Sequence, residues 1–222
     1  NLTSLPVNVI YTVVPVSAAG CEGESFTVTV TVNPHQVSTS NITFSSCSDV
    51  AIGYILPNFV TTYNITNINS NGLTASGGAP VVANGINSNE LIDDAWRNLG
   101  NTAINVVYTV VPVGQNGCLG NSFTVTATIN PEPVVTNQTI TICSDAALGV
   151  NFNSSSSVGA TSYNVTNLQL NGLVVSAGGA AIATGLTANA LFNDAFTNLT
   201  SLPVNVIYTV VPVSAAGCEG ES

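Results

Sequence analysis

Apolar and polar positions alternate in one phrase that recurs along the chain. In residues 26–32, Phe and Val alternate with Thr, and this period of two gives a strand one apolar face and one hydroxyl face. Residues 106–111 predict a second strand, closed by Pro112. Between two such strands, Cys118 lies in a short glycine-containing loop. The pattern predicts a β-hairpin with a cysteine at its turn.

The phrase belongs to a long internal repeat. Residues 1–25 and 198–222 are identical, NLTSLPVNVIYTVVPVSAAGCEGES, an offset of 197. Within that unit lie two diverged copies, because Cys21, Cys118 and Cys218 are spaced by 97 and 100 residues, and Cys47 and Cys143 by 96. Such periodicity predicts homologous modules that follow each other head to tail in a long array.

The Asn-Pro pairs at 33–34 and 130–131 predict the module boundaries. Residues 1–33 are then the last hairpin of a preceding module, residues 34–131 a complete β-sandwich module, and residues 132–222 a second module that lacks its final strand. A sandwich without an edge strand exposes an unpaired ladder. We therefore expect the natural chain to continue past Ser222, or residues 26–33 of a neighbouring molecule to fill the gap by donor-strand assembly.

Turn signals divide the complete module into strands. Asn71-Gly72 predicts a tight turn, and residues 89–99 fit either a short amphipathic helix or a strand, of which we favour the strand. With the hairpin, this gives six to seven strands in about 100 residues, which is typical of an immunoglobulin-like sandwich. The fold class is all-β, in tandem modules. The other predicted strands are residues 37–44, 51–56, 61–68 and 81–82.

Charge excludes several classes of partner. The 222 residues contain one Arg, no Lys and 11 acidic residues, for a net charge of −10. A chain so poor in cations cannot neutralise phosphates, which excludes nucleic acid and anionic membrane surfaces. No run of about 20 apolar residues exists, so we expect no membrane insertion.

Cysteine is the most specific chemical signal. Cutting at the Asn-Pro boundaries leaves two cysteines in each module, and we favour the pairs Cys47–Cys118 and Cys143–Cys218, with Cys21 paired outside the fragment. Cys47 and Cys118 are 71 residues apart, and closing such a loop stabilises by about 4 kcal/mol. The alternative pairs Cys21 with Cys47 and Cys118 with Cys143, joining neighbouring modules. Either set indicates an oxidising, extracellular compartment.

Catalytic and metal-binding residues are scarce. The single histidine, His35, follows Pro34 in a linker, and no Ser-His-Asp set can be assembled around it. Weak calcium candidates are the acidic residues that recur in both copies, since carboxylate oxygens suit that ion; solvated loop charges are the simpler interpretation, and we predict no cofactor. The candidates are Asp49, Asp94, Asp145 and Asp194. The recurring aromatic residues Tyr63 and Tyr163, Tyr108 and Tyr208, and Trp96 and Phe196 are expected in the core.

Three phrases, VxYTVVPVxxxGCxGxSFTVTxTxNP, TNQTITICSD and TTYNITNINSNGLTASGG, carry a resemblance over essentially the whole chain. They are similar to the PKD-like, immunoglobulin-like repeats of giant cell-surface proteins of Bacteroidetes, often associated with gliding motility and type IX secretion. The resemblance implies a β-sandwich stalk module with no catalytic residues. One departure is that Tyr63-Asn64 and Tyr163-Asn164 stand where PKD-type modules commonly carry Tyr-x-Trp.

The expected function is therefore structural: a non-catalytic repeat of an extracellular, cell-surface fibre or adhesin stalk that assembles into filaments. Its partners would be neighbouring modules of the same protein, and a surface or glycan ligand is a further candidate. The alternative is a carbohydrate- or surface-binding module that acts through the Asn-rich loops 67–72 and 84–89.

Overall fold

The computed structural model describes residues 1, 3, 5–35, 40–114, 117–152 and 157–222, and these form strands without any α-helix. None of the described segments is a helix that could cross a membrane. The fourteen strands of these residues are β1 Val7–Val13, β2 Phe26–Val32, β3 Ile42–Cys47, β4 Thr62–Asn69, β5 Thr74–Gly77, β6 Ala83–Ile86, β7 Ala95–Arg97, β8 Ile104–Val113, β9 Phe123–Asn130, β10 Ala160–Gln169, β11 Val174–Ala177, β12 Ala183–Leu186, β13 Ala195–Thr197 and β14 Ile207–Ser214.

β1 and β2 form an antiparallel N-terminal hairpin in which Val7 faces Val32 and Val13 faces Phe26. Every residue of both strands is exposed. The corresponding residues of β8 and β9 alternate between buried and half-buried, apart from the exposed Asn105. The hairpin predicted from the alternation is confirmed, and the difference in burial shows that its apolar face needs the rest of a module to cover it.

Residues 34–131, called here the first module, form two sheets. One is five-stranded, in the order β3-β9-β8-β4-β6, and the other pairs β5 with β7. β3 runs parallel to β9, so that Ile42 lies beside Val125 and Cys47 beside Asn130. The two-sheet, all-β architecture predicted from the sequence is confirmed.

The core lies between these sheets. The apolar residues of β8 and β9 point into it, whereas Thr124, Thr126 and Thr128 stay half-exposed on the other face. Trp96 of β7 packs edge-on against Tyr108 of β8, with ring centroids 6.4 Å apart, and so joins the two sheets. The buried cluster contains Ile52, Leu56, Tyr63, Ile65, Ile86, Leu91, Trp96, Val106, Tyr108, Val110, Phe123, Val125, Ala127 and Ile129.

Residues 132–222, the second module, repeat this arrangement with fewer strands. A three-stranded sheet has the order β12-β10-β14, and β11 pairs with β13. Residues 138–143, which match β3 in sequence, form no strand, because the described chain offers no counterpart of β9 beside them. The buried apolar cluster is correspondingly smaller: Phe152, Tyr163, Val165 and Leu191.

Several predicted strands are shifted or wrong. The strand predicted at residues 37–44 is found at Ile42–Cys47, and residues 36–39 lie outside the described part of the chain. The strand predicted at residues 81–82 is found at Ala83–Ile86. Residues 51–56 form no strand, because Gly53 has a φ of +64° that breaks the extended backbone. In residues 89–99 only Ala95–Arg97 is a strand. The Asn71-Gly72 turn is confirmed, with φ of +50° and +91°, as a type I′ turn requires, and it connects β4 of one sheet to β5 of the other.

Candidate functional site at the junction between modules

One disulfide connects the two modules. Cys47, the last residue of β3, is bonded to Cys218 in the turn after β14, with a Cα–Cα distance of 5.4 Å. Cys218 is fully buried. Among the described cysteines, Cys21, Cys118 and Cys143 are free.

The predicted pairs Cys47–Cys118 and Cys143–Cys218 are therefore not those of the structure. Because β3 is parallel to β9, Cys47 lies beside Asn130, whereas Cys118 precedes the opposite end of that strand. Eight strand residues span about 26 Å, far beyond the Cα–Cα distance of about 7 Å that a disulfide tolerates. The alternative set, Cys21–Cys47 and Cys118–Cys143, also differs from the structure, which joins Cys47 to the module that follows it.

The residues around the bridge form what we call the first pole, residues 47–49 and 97–102 of the first module. Ser48 Oγ accepts a hydrogen bond from Asn98 N at 2.9 Å. Asn98 Nδ2 in turn donates to Ile129 O at 2.8 Å and to Thr102 O at 3.0 Å. Both Ser48 and Asn98 are buried, so these hydrogen bonds lie beneath the surface of the pole, whose residues 99–102 are exposed.

The only cation in the sequence lies at this pole. Arg97 Nη2 is 2.8 Å from Glu221 Oε1 of the second module, and Arg97 Nε is 3.6 Å from Asp49 Oδ2. The Arg97 side chain is 41% exposed, and an exposed ion pair contributes at most about 1 kcal/mol. Its main effect is therefore to orient the second module, because the partner carboxylate comes from there.

Glu132 is the buried acid of the junction. It directly follows Pro131 and is 4% exposed. Burial, and then the negative charge of Asp49, raise the pKa of Glu132 to about 7, with Arg97 opposing and Glu221 adding to the rise. Three carboxylates thus surround one guanidinium, and near neutral pH a proton on Glu132 relieves their repulsion.

The second module fits closely against the segment that leads into it. A Cβ on Gly220 would overlap Pro133 O, so only glycine allows this approach. Gly220 N also donates to Pro212 O at 2.9 Å, which closes the turn that carries Cys218. A cleft of about 390 Å³ remains beside these residues, and its lining contains no histidine.

The calcium candidates are not brought together. Asp94 lies in the core, where its Oδ2 accepts a hydrogen bond from Tyr108 Oη at 2.9 Å, and burial raises its pKa to about 6. Asp194 Oδ2 likewise accepts from Tyr208 Oη at 2.6 Å. Asp49 faces Arg97, and Asp145 accepts a hydrogen bond from Thr197. In the described parts of the chain no three His, Cys, Asp or Glu residues form a metal-binding group.

His35 and the Asn-rich loops show no assembled site. The backbone N of His35 donates to Asn1 O at 2.9 Å, and its side chain belongs to an exposed residue. In loop 67–72, Asn71 Nδ2 donates to Asn105 O at 2.7 Å and Asn69 Oδ1 accepts from Asn71 N. These amides bond within the protein, so the structure adds nothing that favours ligand binding there.

Arg97, Glu132 and Glu221 were missed by the sequence analysis. The signal that could have found them is the presence of one cation among 11 acidic residues, because such a residue needs a defined anionic partner. The burial of Glu132 could not be foreseen, since it depends on how the second module sits on the first.

A family model for the PKD-like domain matches residues 1–36, 45–133 and 140–222. A comparison with curated proteins found no match. The matched segments cover most of the chain, and the fold of that family is typically a non-catalytic β-sandwich. A disulfide such as the one that joins the two modules is typical of an extracellular location.

Proposed function

The chain belongs to the PKD-like domain family, and from this premise we propose that it is a structural segment of an extracellular surface fibre or adhesin stalk. In this role it performs no catalysis. It sets the distance and the angle between neighbouring modules, and it assembles with further copies into filaments at the cell surface. A gliding-motility or type IX secretion context belongs to the same proposal.

The observation that carries the proposal is the Cys47–Cys218 bond between modules. Modules joined only by a linker move relative to each other by default. Here the bond acts together with the Arg97–Glu221 ion pair and with buried Glu132, so three separate contacts oppose bending at one junction. A fibre that must hold its shape benefits from such a clamp.

The bond also limits extension. Cys47 and Cys218 are 171 residues apart, so a pulling force that unfolds the chain cannot separate these two residues. A fibre built in this way gains little length when a single module unfolds under force. Its strand faces of Thr and Val, which carry almost no charge, also permit lateral association of fibres.

Electron microscopy of the native surface material tests the proposal. We expect thin fibres made of beads, each the size of a module of about 100 residues. Reduction before imaging should leave beads but make the fibres more bent, because the covalent clamp is lost while the modules stay folded. Material that consists of separate globular particles before reduction would contradict the proposal.

A further inference from the structure

The second module carries a copy of the first pole, residues 143–145 and 197–202, which we call the second pole. Ser144 Oγ accepts from Asn198 N at 3.0 Å, as Ser48 does from Asn98 at 2.9 Å. The backbone N of Asp145 donates to Phe196 O at 2.9 Å, and that of Asp49 to Trp96 O at 3.0 Å. Cys143 therefore occupies the same position in its module as the bonded Cys47 does in the first.

The second pole is more open than the first. Cys143 and Ser144 are exposed, whereas Cys47 is half-buried and Ser48 is buried. Leu199 is 82% exposed where Leu99 is 46% exposed, and Leu202 beside it is 71% exposed. Leucine side chains so exposed, next to a thiol on a preformed surface, are typical of an interface. The first pole shows what covers this geometry, namely the hairpin tip of another module.

The other half of such a contact is also present in the chain. Three hairpin tips, in residues 17–23, in residue 114 with residues 117–120, and in residues 214–220, have matching hydrogen bonds: Ser17 N to Cys21 O, Gly114 N to Cys118 O and Ser214 N to Cys218 O, each 2.9 Å. Of these cysteines only Cys218 is bonded. Cys118 is thus presented on its tip in the manner in which Cys218 is presented to Cys47.

We propose that the second pole binds the tip of a further module that has the sequence of the first module, which we call a module of the first kind. Cys143 forms a disulfide with the Cys118 of that module. The bridge seen once would then recur at every junction, always linking a module to the next. This inference rests on the proposed function only in requiring a neighbouring module.

Charge explains why the tip should be of the first kind. In the tip that contacts Arg97 the pairing acid is Glu221. The second pole has Thr197 at the position of Arg97, and the first kind of tip has Asn121 at the position of Glu221. A glutamate in place of Asn121 would bring a second negative charge close to Asp145, with no guanidinium to offset the repulsion. Asn121 adds no charge. The two kinds of junction therefore select alternate modules.

The bond forms by thiol–disulfide exchange, with a low-molecular-weight disulfide such as glutathione disulfide as the oxidant. The thiolate of Cys143 attacks one sulfur of the oxidant and releases one reduced thiol. The Cys118 thiolate then attacks the mixed disulfide at the Cys143 sulfur and releases the second. Two protein thiols lose two protons and two electrons in total, and one disulfide is reduced to two thiols.

Mapping the disulfides of the native protein tests the pairing. Thiols are first blocked with N-ethylmaleimide, and the protein is digested without reduction. The four kinds of cysteine have different flanks, ITFSSCSDV, GQNGCLGNS, TITICSDAA and SAAGCEGES, so each linked peptide identifies its partners. We expect Cys143 linked to Cys118. A blocked Cys143 thiol, or Cys143 linked to the Cys218 type of peptide, would overturn the proposal.

A longer chain, in which residues 26–131 follow Ser222, tests the direction of the link. With Cys118→Ser in the first copy only, Cys143 should remain bonded to the second copy of Cys118. With the same substitution in the second copy only, Cys143 should be free. The reverse pattern would overturn the proposal. If native fibres are seen while Cys143 is free, the inference fails and the proposed function stands.

Discussion

At the scale of single residues, the junction depends on a glycine that has no room for a side chain and on a buried glutamate whose pKa is raised. Gly220 leaves no space for a side chain beside Pro133. Glu132 is buried among Asp49, Glu221 and Arg97. Both residues act on the relative placement of the modules, so their substitution should affect the junction more than either core.

Gly220→Ala should weaken the docking of the second module. The new Cβ would overlap Pro133 O, so the leading segment or the turn with Cys218 must move, at a cost of about 1–3 kcal/mol. Urea unfolding and the rate at which the Cys47–Cys218 bond is reduced measure the change.

The chain supplies a matched control for this substitution. Gly23 has the same sequence neighbours as Gly220, and a Cβ there would meet only atoms of Pro15, of which Cγ is nearest at 3.0 Å. Gly23→Ala should therefore leave the reduction rate of the Cys47–Cys218 bond unchanged. Equal effects of the two substitutions would show that the contact with Pro133 is unimportant.

Glu132 should make the junction sensitive to pH. The pKa of Glu132 is raised in the folded protein from its usual 4.5 to about 7. Between these two pH values the folded state holds a proton that the unfolded state has lost. Stability from this group is therefore present at low pH and is lost as pH rises through about 7. Between pH 6.5 and 8 the free energy of unfolding should fall by about 1 kcal/mol from this group.

The variant Glu132→Gln should lack this part of the pH dependence, because its amide does not titrate. Glu24→Gln is the control, since Glu24 matches Glu221 in sequence but lies in the N-terminal hairpin, away from the junction. Urea unfolding at the two pH values gives the comparison. A pH dependence that is the same in Glu132→Gln and in the wild type would show that Glu132 does not titrate in this range.

At the scale of elements, the last strand of a module organises the first one. β3 has β9 as its only ladder partner in the described sheet, and residues 138–143 have no such partner. In the N-terminal hairpin, Asn1 Nδ2 donates to Val32 O at 2.8 Å. Asn198, its counterpart in the identical segment, would meet the same carbonyl in a strand that followed Ser222.

A chain extended by FTVTVTVNP after Ser222 should therefore order residues 138–143 as a strand parallel to the added one. We expect slower amide hydrogen exchange in residues 138–143 and in β14, and a higher melting temperature. An extension whose three valines are replaced by Asn is the control, because it keeps the backbone but has no apolar face. Equal protection with both extensions would contradict this account.

Sequence alone was sufficient for some elements and not for others. The alternation in residues 26–32 predicts the hairpin because each strand carries its own signal and the tight turn brings them together. The pairing of β3 with β9 joins residues about 80 positions apart, and no local pattern encodes its parallel direction. The predicted cysteine pairing was wrong for the same reason, because the direction of β3 decides at which end of the module Cys47 lies.

At the scale of the whole molecule, the modules behave as links that are clamped at a shared junction. The disulfide, the Arg97–Glu221 pair and buried Glu132 all lie between the first pole and the second module. Stability of each module comes from its own core, whereas the junction sets the direction of one module relative to the next. This division predicts that reduction changes shape and extensibility more than it changes secondary structure.

Pulling single molecules by their two ends, before and after reduction, tests the central claim that Cys47 and Cys218 clamp one module to the next. With this bond intact only about 50 residues can be extended, to a length of about 180 Å, and after reduction the full chain should reach about 750 Å. Bonds within the modules, Cys47–Cys118 and Cys143–Cys218, would instead allow about 270 Å before reduction. A chain that extends before reduction as far as after it, or to the intramodule length, would contradict the account.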